Sequence, residues 1–140
     1  MPDIDYFIQM SYVSNPLREP ILHSAIQALQ FPLGSRGLDA GCGIGFQALL
    51  LAETVGPVGH ITGLDLSPEV LVYAKDMAKK AGLSERISFQ EGDVNDLPFD
   101  DDTFDWAWSV DLVGYAPIES LPLVKELARV AVEAPAPAPE

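Results

Sequence analysis

Three aspartates and one glycine-rich turn hold most of the chemistry available to this chain. Asp39, Asp65 and Asp93 each close a short apolar run and are separated by 26 and 28 residues, and Gly41-Cys42-Gly43-Ile44-Gly45 follows the first of them. Ionised carboxylates only accept hydrogen bonds, so a ligand rich in hydroxyls, amines and positive charge would answer all three. Glycines adopt positive φ without strain and let a ligand approach the backbone, and a helix starting just after the turn would present free N–H groups to an anion. Other polar residues offer less. Tyr12, His23, Asp111 and Tyr115 are candidate general bases, but each reads more plainly as a structural residue, so no catalytic residue is assigned. Cys42 sits between two glycines without a positioned histidine, which argues against a thiol nucleophile.

The flanking patterns say how the three acids come together. Arg36–Ala40 reads as a first strand and Phe46–Val55 as the helix after the turn. Gly56-Pro57 stops that helix, and His60–Asp65 is a second strand. Ser67 caps a further helix with Pro68 at its first position, Val70, Leu71, Ala74, Met77 and Ala78 at helical spacing, and Gly82 just past its end. Ile87 and Phe89 mark a third strand ending at Gly92-Asp93. Phe104, Trp106, Trp108 and Val110 alternate in a fourth, after a loop over Asn95–Thr103. A leading helix is expected over Asn15–Gln30, with Asn15 as N-cap and Pro16 at its first position. A last helix is expected over Ile118–Ala131, followed by an extended Ala-Pro tail. Tyr6, Phe7 and Tyr12 would dock an N-terminal arm or form a lid.

Strands alternating with helices predict an α/β fold, a Rossmann-like doubly wound sheet of mainly parallel strands that ends after the fourth strand and its helix. In such a sheet Asp39, Asp65 and Asp93 share the carboxyl edge, where doubly wound folds bind ligands. With strands ~4.8 Å apart, carboxylates there repel one another unless donors or a cation answer them.

Composition bounds the alternatives. The 140 residues suffice for one domain with a core, and 48% are hydrophobic. Eight basic against 21 acidic residues give a net charge of −13, which repels nucleic acid and anionic lipid. No apolar run approaches the ~20 residues of a membrane span, and the acidic start lacks the basic region of a signal peptide, so a cytoplasmic protein is expected. One cysteine gives no internal disulfide. No metal site is expected, since the run Asp100-Asp101-Asp102 lacks the spaced oxygen ligands of a calcium loop.

The run Leu38-Asp39-Ala40-Gly41-Cys42-Gly43-Ile44-Gly45 resembles motif I of the class I S-adenosylmethionine-dependent methyltransferases. Gly63-Leu64-Asp65-Leu66-Ser67 is similar to the family's ribose-binding strand end, and Gly92-Asp93-Val94 to its adenine-contacting loop. Leu97-Pro98-Phe99 with Thr103-Phe104-Asp105 resembles the lead-in to its fourth strand. The resemblance covers residues 15 to 131 and is nearest to the ubiquinone and menaquinone biosynthesis type. It implies S-adenosyl-L-methionine as cofactor and a small-molecule methyl acceptor. It further implies that Gly41 and Gly43 pack against the methionine portion and that Asp39 contacts its amino group. Asp65 would hold the ribose diol, Leu66 would pack on adenine, Asp93 and Val94 would meet the adenine amino edge, and Ser109 would face the methyl-donor end. Leu66 as ordinary core, Ser109 as a strand-end hydroxyl and Asp39 as a turn-stabilising residue are the plainer alternatives.

Members of that family continue into a Gly-Gly turn and three further strands, which this sequence lacks. One domain over residues 1–131, incomplete at its C-terminal side, and a tail over 132–140 are therefore expected. The fourth strand would be an open aromatic edge, to be covered by a second copy in a homodimer, by the tail, or by nothing. Two other functions fit parts of the pattern. Gly43-Ile44-Gly45-Phe46-Gln47-Ala48 satisfies G-x-G-x-x-A and Asp65 lies 22 residues on, as in NAD(P)-binding oxidoreductases. Against that reading, Asp39 would set negative charge beside a pyrophosphate. The missing acceptor half favours a non-catalytic nucleoside-binding or interaction module.

Overall fold

The structure, a computed structural model, describes residues 4–109 and 121–132. Four strands, β1 (Arg36–Ala40), β2 (His60–Asp65), β3 (Ile87–Glu91) and β4 (Trp106–Trp108), alternate with helices α2 (Phe46–Val55) and α3 (Pro68–Lys80). Helix α1 (Ile4–Leu29) precedes them and α4 (Leu121–Val130) follows. All pairings are parallel, in the order β3-β2-β1-β4. The order reverses beside β1, which puts a ligand crevice at the carboxyl ends of β1, β2 and β4.

The expected α/β sheet is present, and its two faces are filled differently. Leu38, Ala40 and Leu64 point to one side, where they pack with Leu97, Phe104 and Val130. On the other side Ile61, Ile87, Phe89, Trp106 and Trp108 meet Leu22 and Ile26 of α1, Leu51 and Val55 of α2, and Ala78 of α3. The glycines of the central strands make this second face possible. A Cβ at Gly37 would lie 2.2 Å from the Trp106 ring, and one at Gly63 would lie 2.9 Å from the Phe89 ring. The small central residues accept the aromatic rings of the flanking strands.

Helix α3 follows the sequence closely. Ser67 caps it by accepting the Val70 N–H, Pro68 opens it, and Gly82 follows at φ +73°. Helix α1 does not. It starts at Ile4 rather than at Asn15, with Pro16 and Pro20 inside it. Both prolines are exposed, so the carbonyls left without a helical N–H partner face water. The early turns are held by Ile8, which is buried against Ile44 and Val70 and so offsets the proline cost. The expected N-terminal arm of Tyr6, Phe7 and Tyr12 is therefore a continuation of the helix.

Strand β4 is shorter than the expected Phe104–Val110. Phe104 makes an isolated parallel bridge to Ala131, with its N–H donating to Val130 O at 2.9 Å and its carbonyl accepting from Val132 N–H at 2.8 Å. The chain leaving α4 thus lies beside the approach to the β4 edge. Val110, the expected helix start at Ile118, and residues 133–140 of the tail lie outside the described residues. Among the described residues no helix is long and apolar enough to cross a membrane.

Candidate functional site

The glycine turn is built by its backbone. Gly41, Gly43 and Gly45 have φ of +79°, +55° and +87°, conformations that a side chain strains. The N–H groups of Gly41 and Cys42 both donate to Leu64 O, at 2.8 and 2.9 Å, which folds the turn over the end of β2. At Gly45 a Cβ would stand 3.1 Å from the Ala74 Cβ, so its absence lets α3 approach. Gly45 is the N-cap of α2 and no side chain caps that helix, leaving its first N–H groups at the crevice.

Asp65 ties three segments together. Its Oδ2 accepts the Gly43 N–H at 3.0 Å and its Oδ1 accepts the Ser67 N–H at 3.1 Å. Its carbonyl accepts the Gly92 N–H at 3.0 Å, which draws the segment carrying Asp93 to the same edge. Each carboxylate oxygen still has a lone pair for a hydroxyl donor.

Asp39 is 1% exposed, and its Oδ2 has no hydrogen-bond partner among the described residues. Burial, reinforced by the Asp65 charge, pushes its carboxyl up to about 7. On neighbouring β4 the residue in register with Asp39 is Trp108, and the next residue, Ser109, also has a buried Oγ without a partner. Two buried polar atoms without partners at the carboxyl ends of adjacent strands are unusual, and they mark where a ligand's polar groups would be satisfied. The Trp108 indole N–H donates to Gln47 Oε1 at 2.8 Å and fixes the wall between β4 and the start of α2.

The remaining expected residues divide. Asp93 is exposed, with Oδ1 accepting the Asn95 N–H at 2.9 Å. Leu66 is 68% exposed, so it is not ordinary core and offers an apolar surface beside Asp65. Val94 is half-buried against the cluster of Leu38, Leu64 and Leu97, so packing already accounts for its side chain. Glu91, in register with Asp65, is an exposed fourth carboxylate at this edge that sequence reasoning passed over. The signal was present, since a strand ending at Gly92 puts residue 91 opposite residue 65 in a parallel pair.

The nucleophile and base candidates divide as well, with Cys42 in the turn itself and His23 and Tyr12 on α1. Cys42 is buried, and burial together with Asp39 and Asp65 raises its thiol far above the ordinary value, so it stays protonated. His23 and Tyr12 are exposed residues of α1, with His23 beside Gln27 at 3.4 Å. Asp111 and Tyr115 lie outside the described residues. Among the described residues no group of three His, Cys, Asp or Glu side chains is arranged to hold a metal ion. An open surface depression lined by Pro57, Gly82, Ser84, Glu85 and Arg86 lies at the amino ends of β2 and β3, away from the acids.

Comparison with known proteins agrees with this geometry. Over 129 residues the chain is 30% identical to demethylmenaquinone methyltransferase of Bacillus cytotoxicus, covering 89% of this chain and 52% of that protein. It is 39% identical over 94 residues to the chloroplastic tocopherol O-methyltransferase of Arabidopsis thaliana, covering 67% of this chain and 26% of that one. A crystal structure of an S-adenosylmethionine-dependent methyltransferase from Aquifex aeolicus superposes with a TM-score of 0.78 at 25% identity, over 94% of this chain and 68% of the other. The chain thus spans about half the length, or less, of these curated relatives. A family model described as a methyltransferase domain matches residues 38–133, and with the parallel sheet and glycine turn above, the chain belongs to that methyltransferase-domain family.

Proposed function

We propose that the chain is the cofactor-binding part of an S-adenosyl-L-methionine-dependent methyltransferase acting on a small-molecule acceptor. The observation that carries this reading is the pair of buried atoms without partners, Asp39 Oδ2 and Ser109 Oγ, beside a glycine turn and a carboxylate at the end of β2. These residues fit the group. Asp39 would accept from its ammonium, and Gly41 and Gly43 would let the methionine portion approach the backbone. Asp65 would accept from the ribose hydroxyls, Leu66 would cover adenine, and Asp93 with Val94 would meet its amino edge. Ser109 would stand at the methyl-donor end. When bound, the sulfonium supplies an already activated methyl group, so the protein's contribution is alignment and exclusion of water. The quinone and tocopherol methyltransferases among its relatives support a small-molecule acceptor, of the quinone-biosynthesis type by resemblance.

Residues 1–131 form the domain in this reading, with 132–140 as tail, in a cytoplasmic protein whose β4 edge pairs with a second copy as a homodimer. A net charge of −13 sets nucleic acid and anionic membranes aside as partners. Calorimetric titration with S-adenosylhomocysteine and with NAD tests the ligand. Heat with the former and none with the latter is expected, and the reverse would install the dinucleotide reading. That rival is disfavoured because the Gly43 N–H, which a pyrophosphate would need, is already engaged by the Asp65 carboxylate. A second reading is a nucleoside-binding module without turnover, since every residue assigned above serves the donor and none is assigned to an acceptor. Transfer of label from the methyl donor into a metabolite extract separates the two, since a module binds the donor and never discharges it.

A further inference from the structure

We infer that Asp39 holds a proton in the free protein which an ammonium-bearing ligand displaces, and that its ionisation therefore sets the preference for cationic over neutral nucleosides. The inference rests on the cofactor reading above and deepens it. Three observations support it. Asp39 is all but sealed from water on the second residue from the end of β1. Its Oδ2 meets no donor, whereas both oxygens of neighbouring Asp65 are held by backbone N–H groups. Among the described residues, the groups that face it supply no cation. Strand β2 contributes the Asp65 carboxylate, the turn contributes the neutral Cys42 thiol, and β4 places Trp108 in register with Asp39, its indole N–H given to Gln47 of α2.

A buried carboxylate that faces a second carboxylate and has one oxygen without a donor is costly, and the charge is avoided by retaining the proton. Burial and the Asp65 charge accordingly hold this carboxyl near neutrality. A ligand ammonium reverses the balance. It supplies both the donor and the positive charge that Oδ2 lacks, so the Asp39 O–H bond breaks, the proton leaves to the buffer, and a carboxylate–ammonium pair forms. No electron changes hands. A neutral nucleoside makes no such demand and binds with the proton in place. Above neutral pH the cationic ligand is favoured because no proton has to be removed; below it the preference narrows.

Titration calorimetry on the 140-residue chain tests this with two probes, S-adenosylhomocysteine, which carries the ammonium, and 5′-methylthioadenosine, which does not. Each is measured at pH 6 and pH 8.5 in phosphate and in Tris, whose ionisation heats differ. At pH 6 close to one proton should be released per S-adenosylhomocysteine bound, falling toward none at pH 8.5, with affinity rising about tenfold per pH unit below the midpoint. The thionucleoside should bind with the same heat in both buffers and the same affinity at both pH values. Asp39→Asn should abolish the proton release. In the unaltered chain, the infrared band of a protonated carboxyl should vanish when S-adenosylhomocysteine is added at pH 6, a readout that needs no variant. Binding of S-adenosylhomocysteine without proton release would overturn the inference while leaving the cofactor reading in place. Release that persists in the Asn variant would move the proton elsewhere and overturn it equally. Failure of both probes to bind would overturn the cofactor reading, and this inference with it.

Discussion

Asp65 and Gly43 are joined by a hydrogen bond of 3.0 Å from the glycine N–H to Oδ2, so the acid at the end of β2 holds the shape of the turn that follows β1. The second oxygen holds Ser67, the N-cap of α3. One side chain therefore sets the mutual position of the two helix N-termini that flank the crevice.

Replacing Asp65 with Asn leaves one acceptor oxygen where two N–H groups now donate. Hydrogen bonds to a charged group contribute about 1.5–3 kcal/mol each, and this carboxylate is only half-buried, so a loss of about 1–2 kcal/mol in urea unfolding is expected. Amide exchange at Gly43 and Ser67 should speed up more than exchange in β1. Because the Asp65 charge is one of the two causes raising Asp39, the Asp39 titration should also move toward lower pH in this variant.

Asp39 makes the free protein less stable at alkaline pH. Its carboxyl is raised from 3.8 to about 7 on folding, so its favourable contribution is complete below pH 3.8 and is lost as pH rises through about 7. A rise of that size corresponds to about 4 kcal/mol. Asp39→Asn removes the penalty. The variant and the parent should unfold at similar urea concentrations below pH 3.8, with the variant gaining as pH rises from there and its full advantage reached by pH 8. Equal midpoints at pH 8 would mean that Asp39 is ionised at no cost.

Gly37→Ala tests the packing that lets β4 join the sheet. The new Cβ would fall 2.2 Å from the Trp106 ring, which cannot swing aside freely. Phe31 stacks on it at 4.0 Å, and its indole N–H donates to Ser35 Oγ at 2.8 Å. Overpacking of this kind costs about 1–3 kcal/mol or more, and the Trp fluorescence should shift as the stack opens. Gly82→Ala, where the Cβ would meet nothing within 4 Å but φ is +73°, is the control that separates backbone strain from steric clash.

Arg129 fastens the loop between β3 and β4 to α4. Its guanidinium donates to Glu126, to Asp101 and to the carbonyls of Phe99 and Leu97, while Glu126 also accepts the Leu97 N–H at 2.7 Å. These contacts hold Glu126 below the usual carboxylate range. Glu126 therefore adds stability that is present above its ordinary value and is lost as pH falls through the lowered one. Arg129→Ala should make the segment from Leu97 to Asp102 a preferred site of limited proteolysis while the glycine turn keeps its exchange protection. Unchanged cleavage there would show that Phe99 and Phe104, in edge contact at 4.9 Å, hold the loop without it.

Elements whose local code and tertiary role coincide were legible in the sequence. The strands Arg36–Ala40 and His60–Asp65 and the helix opened by Ser67-Pro68 and followed by Gly82 need only their own patterns and caps. The placement of Asp39, Asp65 and Asp93 at one edge follows from the parallel alternation itself. Helix α1 and strand β4 were misjudged at their ends because distant contacts decide them. Ile8 gains its burial from Ile44 and Val70, and Phe104 is paired not with β1 but with Ala131.

Residue types and spacing by themselves determined the fold class, the glycine turn and which acids could gather, because periodicity and turn chemistry act within a few residues. Only the tertiary structure decided the state of each acid: Asp65 tied by two N–H groups, Asp93 in water, Asp39 buried beside a like charge. Burial and donor supply are set by chain segments far apart in sequence, and no local pattern encodes them.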